Sequence, residues 1–261
     1  MNNSVFGKAI ENIENRVDIK LVTDEKKAEK LAAKPTYYHR TRFDDNLIAV
    51  QMKKTWLYYD KPVYLGMCIL DLSKTLMYDF HYNYIKDKYG DKARLLFTDT
   101  DSLMYEIETQ DLYEDITPDI EEWFDTSEFQ QDHPSGLPTG INKKVLGKMK
   151  DEAGGKIITE FVGLRAKLYS YKVYDDPSEY KKCKGIKKNV VKRCITHDDY
   201  KKCLNTGEEQ SASMNLIRSH DHNLYSEEVN KISLSANDDK RALLKGTHGT
   251  LAHGHWRHQI K

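Results

Sequence analysis

The 261-residue sequence predicts an α+β fold, an antiparallel sheet with helices followed by a basic, mostly helical C-terminal part. Three observations carry that expectation. Short runs rich in β-branched, aromatic and other apolar residues, Leu47–Met52, Arg94–Ile107 and Ile157–Tyr174, lie between clusters of turn formers. A helical stripe of Leu76, Met77, Phe80, Tyr84 and Ile85 separates the first run from the second. Beyond Tyr180 the chain becomes rich in lysine and helix formers.

The elements follow in chain order. Residues 1–33 are expected to be helical, because Ile10, Ile13, Val17 and Leu21 fall at helical spacing and Lys26–Ala33 is rich in helix formers. Leu47–Met52 and Trp56–Tyr59 are expected as strands, with Lys53-Lys54-Thr55 as the turn between them. Ser73 is a suitable N-cap for the next helix and Gly90 a suitable stop. Arg94–Phe97 and Leu103–Ile107 flank an Asp/Thr/Ser cluster and read as a hairpin. Residues 108–155 hold Pro118, Pro134, Pro138 and several glycines, which suggests an irregular surface excursion with one acidic helix near Ile120–Phe124. Ile157–Val162 and Lys167–Tyr174 alternate as strands. The organisation expected is a first subdomain over 1–174 and a second over 175–261.

Composition narrows the class. Hydrophobic residues make up 39% and charged residues 31%, which is ordinary for a soluble chain. No stretch approaches the ~20 apolar residues of a membrane span, so no membrane partner is expected. The N-terminus lacks a basic region followed by an apolar one, which argues against secretion. Cys68, Cys183, Cys194 and Cys203 form no Cys-x-x-Cys pair, so reduced thiols in an intracellular compartment are expected rather than zinc or a disulfide framework. The net charge of zero hides a segregation. Asp99–Glu128 holds twelve acidic residues and no Lys or Arg, whereas Lys143–Arg193 holds fifteen basic ones. That pattern suits a protein holding metal in one place and anions in another, and equally a protein with two solvated faces.

The chemistry concentrates at Phe97-Thr98-Asp99-Thr100-Asp101-Ser102. Two carboxylates two residues apart project to one side if the chain there is extended. Oxygen ligands grouped in this way suit Mg²⁺, which is commonly held by one or two carboxylates together with substrate phosphates. An acidic turn without metal is the plain alternative, since Asp is a common turn residue. A second signal is the run Lys181–Arg193, where Lys181, Lys182, Lys184, Lys187, Lys188, Lys192 and Arg193 make seven basic residues in thirteen. Such a run can neutralise phosphates with little base specificity. Nuclear-localisation signals share its composition, which leaves a nuclear destination open. The tail carries His248, His253, His255 and His258 around Trp256, but without a carboxylate or Cys to complete a metal site, so a polar tail is expected.

Taken together, several segments resemble protein-primed B-family DNA polymerases, in particular those of Maverick/Polinton-type transposons and related viruses. Phe97–Ser102 resembles the Tyr-x-Asp-Thr-Asp-Ser motif C of the palm, and Lys167-Leu168-Tyr169 resembles the Lys-x-Tyr motif at the palm–thumb border. Asn2-Asn3-Ser4-Val5-Phe6-Gly7-Lys8 is similar to the later half of motif B, in the order and at the gaps that the family shows. The resemblance spans nearly the whole chain. It implies a partial palm followed by a thumb, and nucleotidyl transfer to a primer 3′-end clamped by two Mg²⁺ ions. Asp99 and Asp101 would be the catalytic, metal-holding carboxylates, with Asp101 the direct ligand and Asp99 tuning the site or assisting at the primer-terminus end. Asn3 and Phe6 would face the nucleotide. Lys167 would contact the primer–template backbone and Tyr169 would stand by the primer terminus. The implied partners are a primer–template, a dNTP and a terminal protein that supplies the priming hydroxyl.

The chain also departs from that pattern. Met1 falls after the motif B Lys position, Phe6 replaces the usual Tyr, and no Asp-x-x-Ser-Leu-Tyr-Pro motif A is present, Asp71-Leu72-Ser73 being a poor match. A C-terminal polymerase piece, inactive alone, is therefore expected. The alternatives are a non-catalytic DNA-binding transposon remnant and a small metal-dependent phosphotransferase. The latter is weakened because Gly136-Leu137-Pro138-Thr139-Gly140 lacks the phosphate-loop spacing.

Overall fold

The computed structural model describes residues 2–237, 241–244, 250–252 and 255. It is a mixed fold of helices and antiparallel sheets, as the sequence predicts, apart from one short parallel pair. The chain divides into two compact units. One comprises Met1–Thr75 with Asn215–Val229, the other Leu76–Met214 with Asn230–Lys261.

The first unit is built on a three-stranded sheet in the order β1-β3-β2, with β1 Asp18–Val22, β2 Tyr37–Asp44 and β3 Leu47–Met52. Helices α1 (Asn2–Ala9) and α2 (Glu25–Ala32) complete the N-terminal segment. Asp24 caps α2, accepting from the Lys26 N–H at 2.9 Å. Val22, Ala28, Val50 and Met52 form the buried core. The continuous helix expected over residues 1–33 is therefore broken. Asp18–Val22 pairs antiparallel with β3, while Val17 and Leu21, assigned to the helical stripe, are exposed. Tertiary pairing overrides a sparse helical period there. Trp56–Tyr59 is not a strand either, and its rings are exposed. Both edges of β3, its expected hairpin partner, are already occupied by β1 and β2. Asp221 and His222, both at positive φ, join β11 (Gln210–His220) to β12 (Asn223–Leu234) in a two-residue turn of the type I′ pattern. Within this unit Thr41 donates to the Asp221 carbonyl and His222 Nε2 lies 2.9 Å from Gln51 Oε1.

Helix α3 covers Val63–Asp79, so Ser73 lies inside it, donating to the Ile69 carbonyl, and does not cap it. Asp71 is likewise interior. A π-helical segment, Phe80–Lys86, and a closing turn, α4 (Asp87–Tyr89), lead to Gly90 at φ +54°, which ends the helix as expected.

The second unit holds the hairpin of β4 (Ala93–Asp99) and β5 (Ser102–Ile107) and a sheet in the order β10-β9-β8. Its strands are β8 Ile158–Arg165, β9 Leu168–Val173 and β10 Glu179–Cys183. Between them, α5 (Leu112–Ile116), α6 (Ile120–Trp123), β6 (Phe124–Asp125) and β7 (Met149–Lys150) surround a small core of Ile120, Phe129 and Leu137. The segment 108–155 is thus more ordered than a surface excursion. It also undoes part of the charge segregation. Lys150 pairs with Glu128, Lys88 with Asp119, and Lys148 Nζ donates to the Glu121 carbonyl at 3.0 Å. Helices α7 (Lys188–Cys194) and α8 (His197–Thr206) cover one face of the three-stranded sheet, with Val162, Leu168, Cys183, Val191, Ile195, Tyr200, Cys203 and Leu234 as the core. Burial pushes the Cys183 thiol up to about 11, which leaves it protonated and inert.

Two expectations fail in this region. No break falls at residue 174, because β10 extends the β8–β9 sheet across it. The C-terminal part is not mostly helical: after α8 it continues as β11, β12, β13 (Arg241–Leu243) and β14 (Thr250–Ala252). Residues 210–234 read as lysine-poor, alternating strands, QSASMNLIRSH and NLYSEEVNKISL, once their pairing is known.

Candidate functional site

The two faces of the β4–β5 hairpin have different neighbours. Ala93, Leu103, Tyr105 and Ile107 pack with Phe80, Tyr84, Ile85 and Tyr89. A bulge between Leu95 and Phe97 shifts the register, so that Phe97 pairs with Met104 and Asp99 with Ser102. The extra residue turns Phe97, and Asp99 two residues on, to the other face of the hairpin.

On that face the hairpin meets β8 and β9. Phe97 stacks on Tyr169 with ring centroids 4.5 Å apart and planes inclined at 21°. Phe161 of β8 lies 6.0 Å from Phe97. Above the rings, Asp99 Oδ1 is 2.9 Å from Lys167 Nζ. Lys167 does not stand on a strand, as its alternation suggested. It sits in the connection between Arg165 and Leu168 at φ +61°, a left-handed backbone that directs the chain back at once. The Lys167 carbonyl accepts from the Lys184 N–H at 3.2 Å, and Lys182 is the cross-strand partner of Tyr169. Lys182 therefore shares the face of Tyr169. Burial, and next the Asp99 carboxylate, raise the Tyr169 hydroxyl above its ordinary value, so the phenol stays protonated.

The hairpin tip departs from an extended chain. The Asp101 N–H donates to the Asp99 carbonyl at 2.6 Å with Thr100 between them at φ +56°, the arrangement of a γ-turn. Ser102 Oγ donates to the same carbonyl at 3.2 Å. Asp101 thus lies in the turn rather than on a strand, and the same-side projection expected from strand alternation does not apply. A β-branched residue at positive φ is uncommon, and such conformations persist where the surrounding structure imposes them.

The basic run is divided by the fold. Lys181, expected to bind DNA, is instead part of the structure. Its side chain is 9% exposed, and Nζ donates to Glu179 Oε2 at 3.0 Å and to the Ile195 carbonyl. Lys182, Lys184, Lys187, Lys188, Lys192 and Arg193 are exposed. Of these, the register places Lys182 and Lys184 beside the Lys167 connection, while Lys188, Lys192 and Arg193 stand on α7. Asn3 and Phe6 lie on α1, in the other unit. His248, His253 and His258 lie outside the described residues.

Two arrangements were not legible in the sequence. Tyr171 and Tyr180, cross-strand partners on β9 and β10, stack with centroids 4.8 Å apart and planes at 3°. The aromatics at Tyr169 and Tyr171, spaced by two, are the signal that could have revealed this row. On the opposite face, fully buried His197 has Nδ1 2.9 Å from Ser170 Oγ and Nε2 3.0 Å from Glu160 Oε2, the latter contact without hydrogen-bond alignment. Ser170 is also fully buried, so neither its hydroxyl nor the imidazole has access for a substrate, although Glu160 is exposed.

The metal implied by the resemblance can be set against these residues. Among the described residues no three His, Cys, Asp or Glu side chains gather as a metal-binding group. The tip offers Asp99 and Asp101, and Asp99 faces an ammonium group. This donor set does not fit a two-ion centre. Among the described residues no helix is long and apolar enough to cross a membrane. Comparisons of the chain with protein-family models, with curated proteins and with solved structures gave no match.

Proposed function

We propose that the β4–β5 hairpin and the β8–β10 sheet are the DNA-contacting part of a polymerase palm similar to that of the protein-primed B-family enzymes of Maverick/Polinton elements. The single observation that supports this reading is the meeting of Phe97 and Asp99 with Tyr169 and Lys167. Two segments that resemble separate polymerase motifs, and that are distant in sequence, share one face. In this reading Lys167, Lys182 and Lys184 are point charges for backbone phosphates, and Tyr169 presents a flat, half-buried ring near the primer terminus. Asp99 and Asp101 stand at the positions of the motif C acids, without, among the described residues, the donor set of a two-ion centre. With no third ligand beside them among the described residues, the chain binds primer–template but does not turn over by itself.

The same shortfall favours, as a second reading, a DNA-binding remnant of a mobile element with no catalytic role. Primer extension with Mg²⁺ and retention of a primer–template, measured together, test both. Binding without extension is the expected outcome. Extension that disappears in Asp101→Asn would overturn the inactivity, and absence of binding at low salt would overturn both readings.

A further inference from the structure

We infer that the Lys167 ammonium is a shared group, held by Asp99 in the free protein and transferred to a DNA phosphate on binding, so that DNA uncovers the Asp99 carboxylate. The inference rests on the DNA-binding reading above and deepens it. Lys167 Nζ and Asp99 Oδ1 are 2.9 Å apart, and their side chains remain 50% and 37% exposed. An ion pair so open to water is weak and exchanges its partner readily. Its geometry is nonetheless fixed from beneath. Lys167 is held in a left-handed turn whose carbonyl is tied to the Lys184 N–H, and Asp99 is aimed by the bulge that seats Phe97 on Tyr169. Lys182 and Lys184, exposed beside that turn, make it the point at which a phosphate would arrive. A phosphodiester and a carboxylate then compete for one cation, and the carboxylate is released when the phosphate takes it.

A double-mutant cycle on DNA affinity tests this, with a fluorescein-labelled primer–template and fluorescence anisotropy at low salt. Asp99→Asn should tighten binding about two- to fivefold, the range for loss of one exposed competing pair. In a Lys167→Gln background the same Asp99→Asn change should have little effect, because no ammonium remains to be released. Lys167→Arg, which retains the charge, should preserve the gain. An equal gain from Asp99→Asn with and without Lys167 would mean that Asp99 merely repels DNA, and would overturn the inference while leaving the DNA-binding reading standing. No gain in either background would overturn it too. Failure of the wild-type chain and every variant to bind the duplex would remove the DNA-binding reading, and the inference with it.

Discussion

Lys167 Nζ stands 2.9 Å from Asp99 Oδ1, a contact that joins the turn of one hairpin to the tip of another. Because both groups are more than a third open to water, the pair contributes only ~0.2–1 kcal/mol, too little to hold the two hairpins together. The hydrophobic contact below it does more. Phe97 stacks on both Phe161 and Tyr169, and these partly buried rings set where Asp99 points.

Replacing Phe97 by Leu and Tyr169 by Leu, singly and together, measures that contact. A coupling of about 1 kcal/mol is expected from the ring pair beyond its buried area. Urea unfolding of the four proteins reads it. Strict additivity would mean that the rings are neighbours without mutual stabilisation.

The basic run should separate into residues of the fold and residues of the surface. Lys181→Met leaves Glu179 and the Ile195 carbonyl without their ammonium partner and should lower stability by about 2 kcal/mol. Lys184→Ala should change stability by no more than about 0.5 kcal/mol and should weaken DNA retention, with a shallower dependence on salt. Thermal unfolding and a salt titration of DNA binding distinguish the two.

Stability should depend on pH through His197. Burial, then the positive charges of Lys172 and Lys201, hold its imidazole below the ordinary histidine value, against the opposing pull of Glu160 and Glu179. Between that depressed value and about 6.5 the unfolded chain binds a proton that the folded chain refuses. Stability is therefore fully present above pH ~6.5 and is lost as the pH falls from there toward the depressed folded value. The carboxylates of Glu160 and Glu179, themselves held low, act only further toward acid, below their ordinary range. His197→Gln should flatten the dependence above pH 5, as read by urea midpoints. An unchanged slope would mean that other groups carry it.

The hairpin at Asp99–Ser102, the strands β3, β8 and β9, and the buried stripe of Met77, Phe80, Tyr84 and Ile85 were legible because their signals are local: alternation, helical spacing and turn residues. What escaped depends on pairing across the chain. Asp18–Val22 becomes a strand by pairing with β3, and with β2 on its other side β3 has no edge left for the hairpin that Trp56–Tyr59 was expected to close. The lysines of β10 hid a strand, since Tyr180 and Lys182 on one face and Lys181 and Cys183 on the other carry no simple polar alternation. At the site, sequence supplied Asp99, Lys167 and Tyr169, but not the bulge at Leu96 that turns Phe97 and Asp99 toward them. A bulge inserts a residue without a compositional mark.

Photo-cross-linking of a primer whose 3′-terminal base carries a reactive group, followed by peptide mapping, addresses the central proposal most directly. Cross-links on Phe97–Ser102 and Leu168–Val173 are the expected result, with Tyr169 foremost. Cross-links confined to α7, or spread evenly over the exposed lysines, would contradict a primer terminus seated between Asp99 and Lys167.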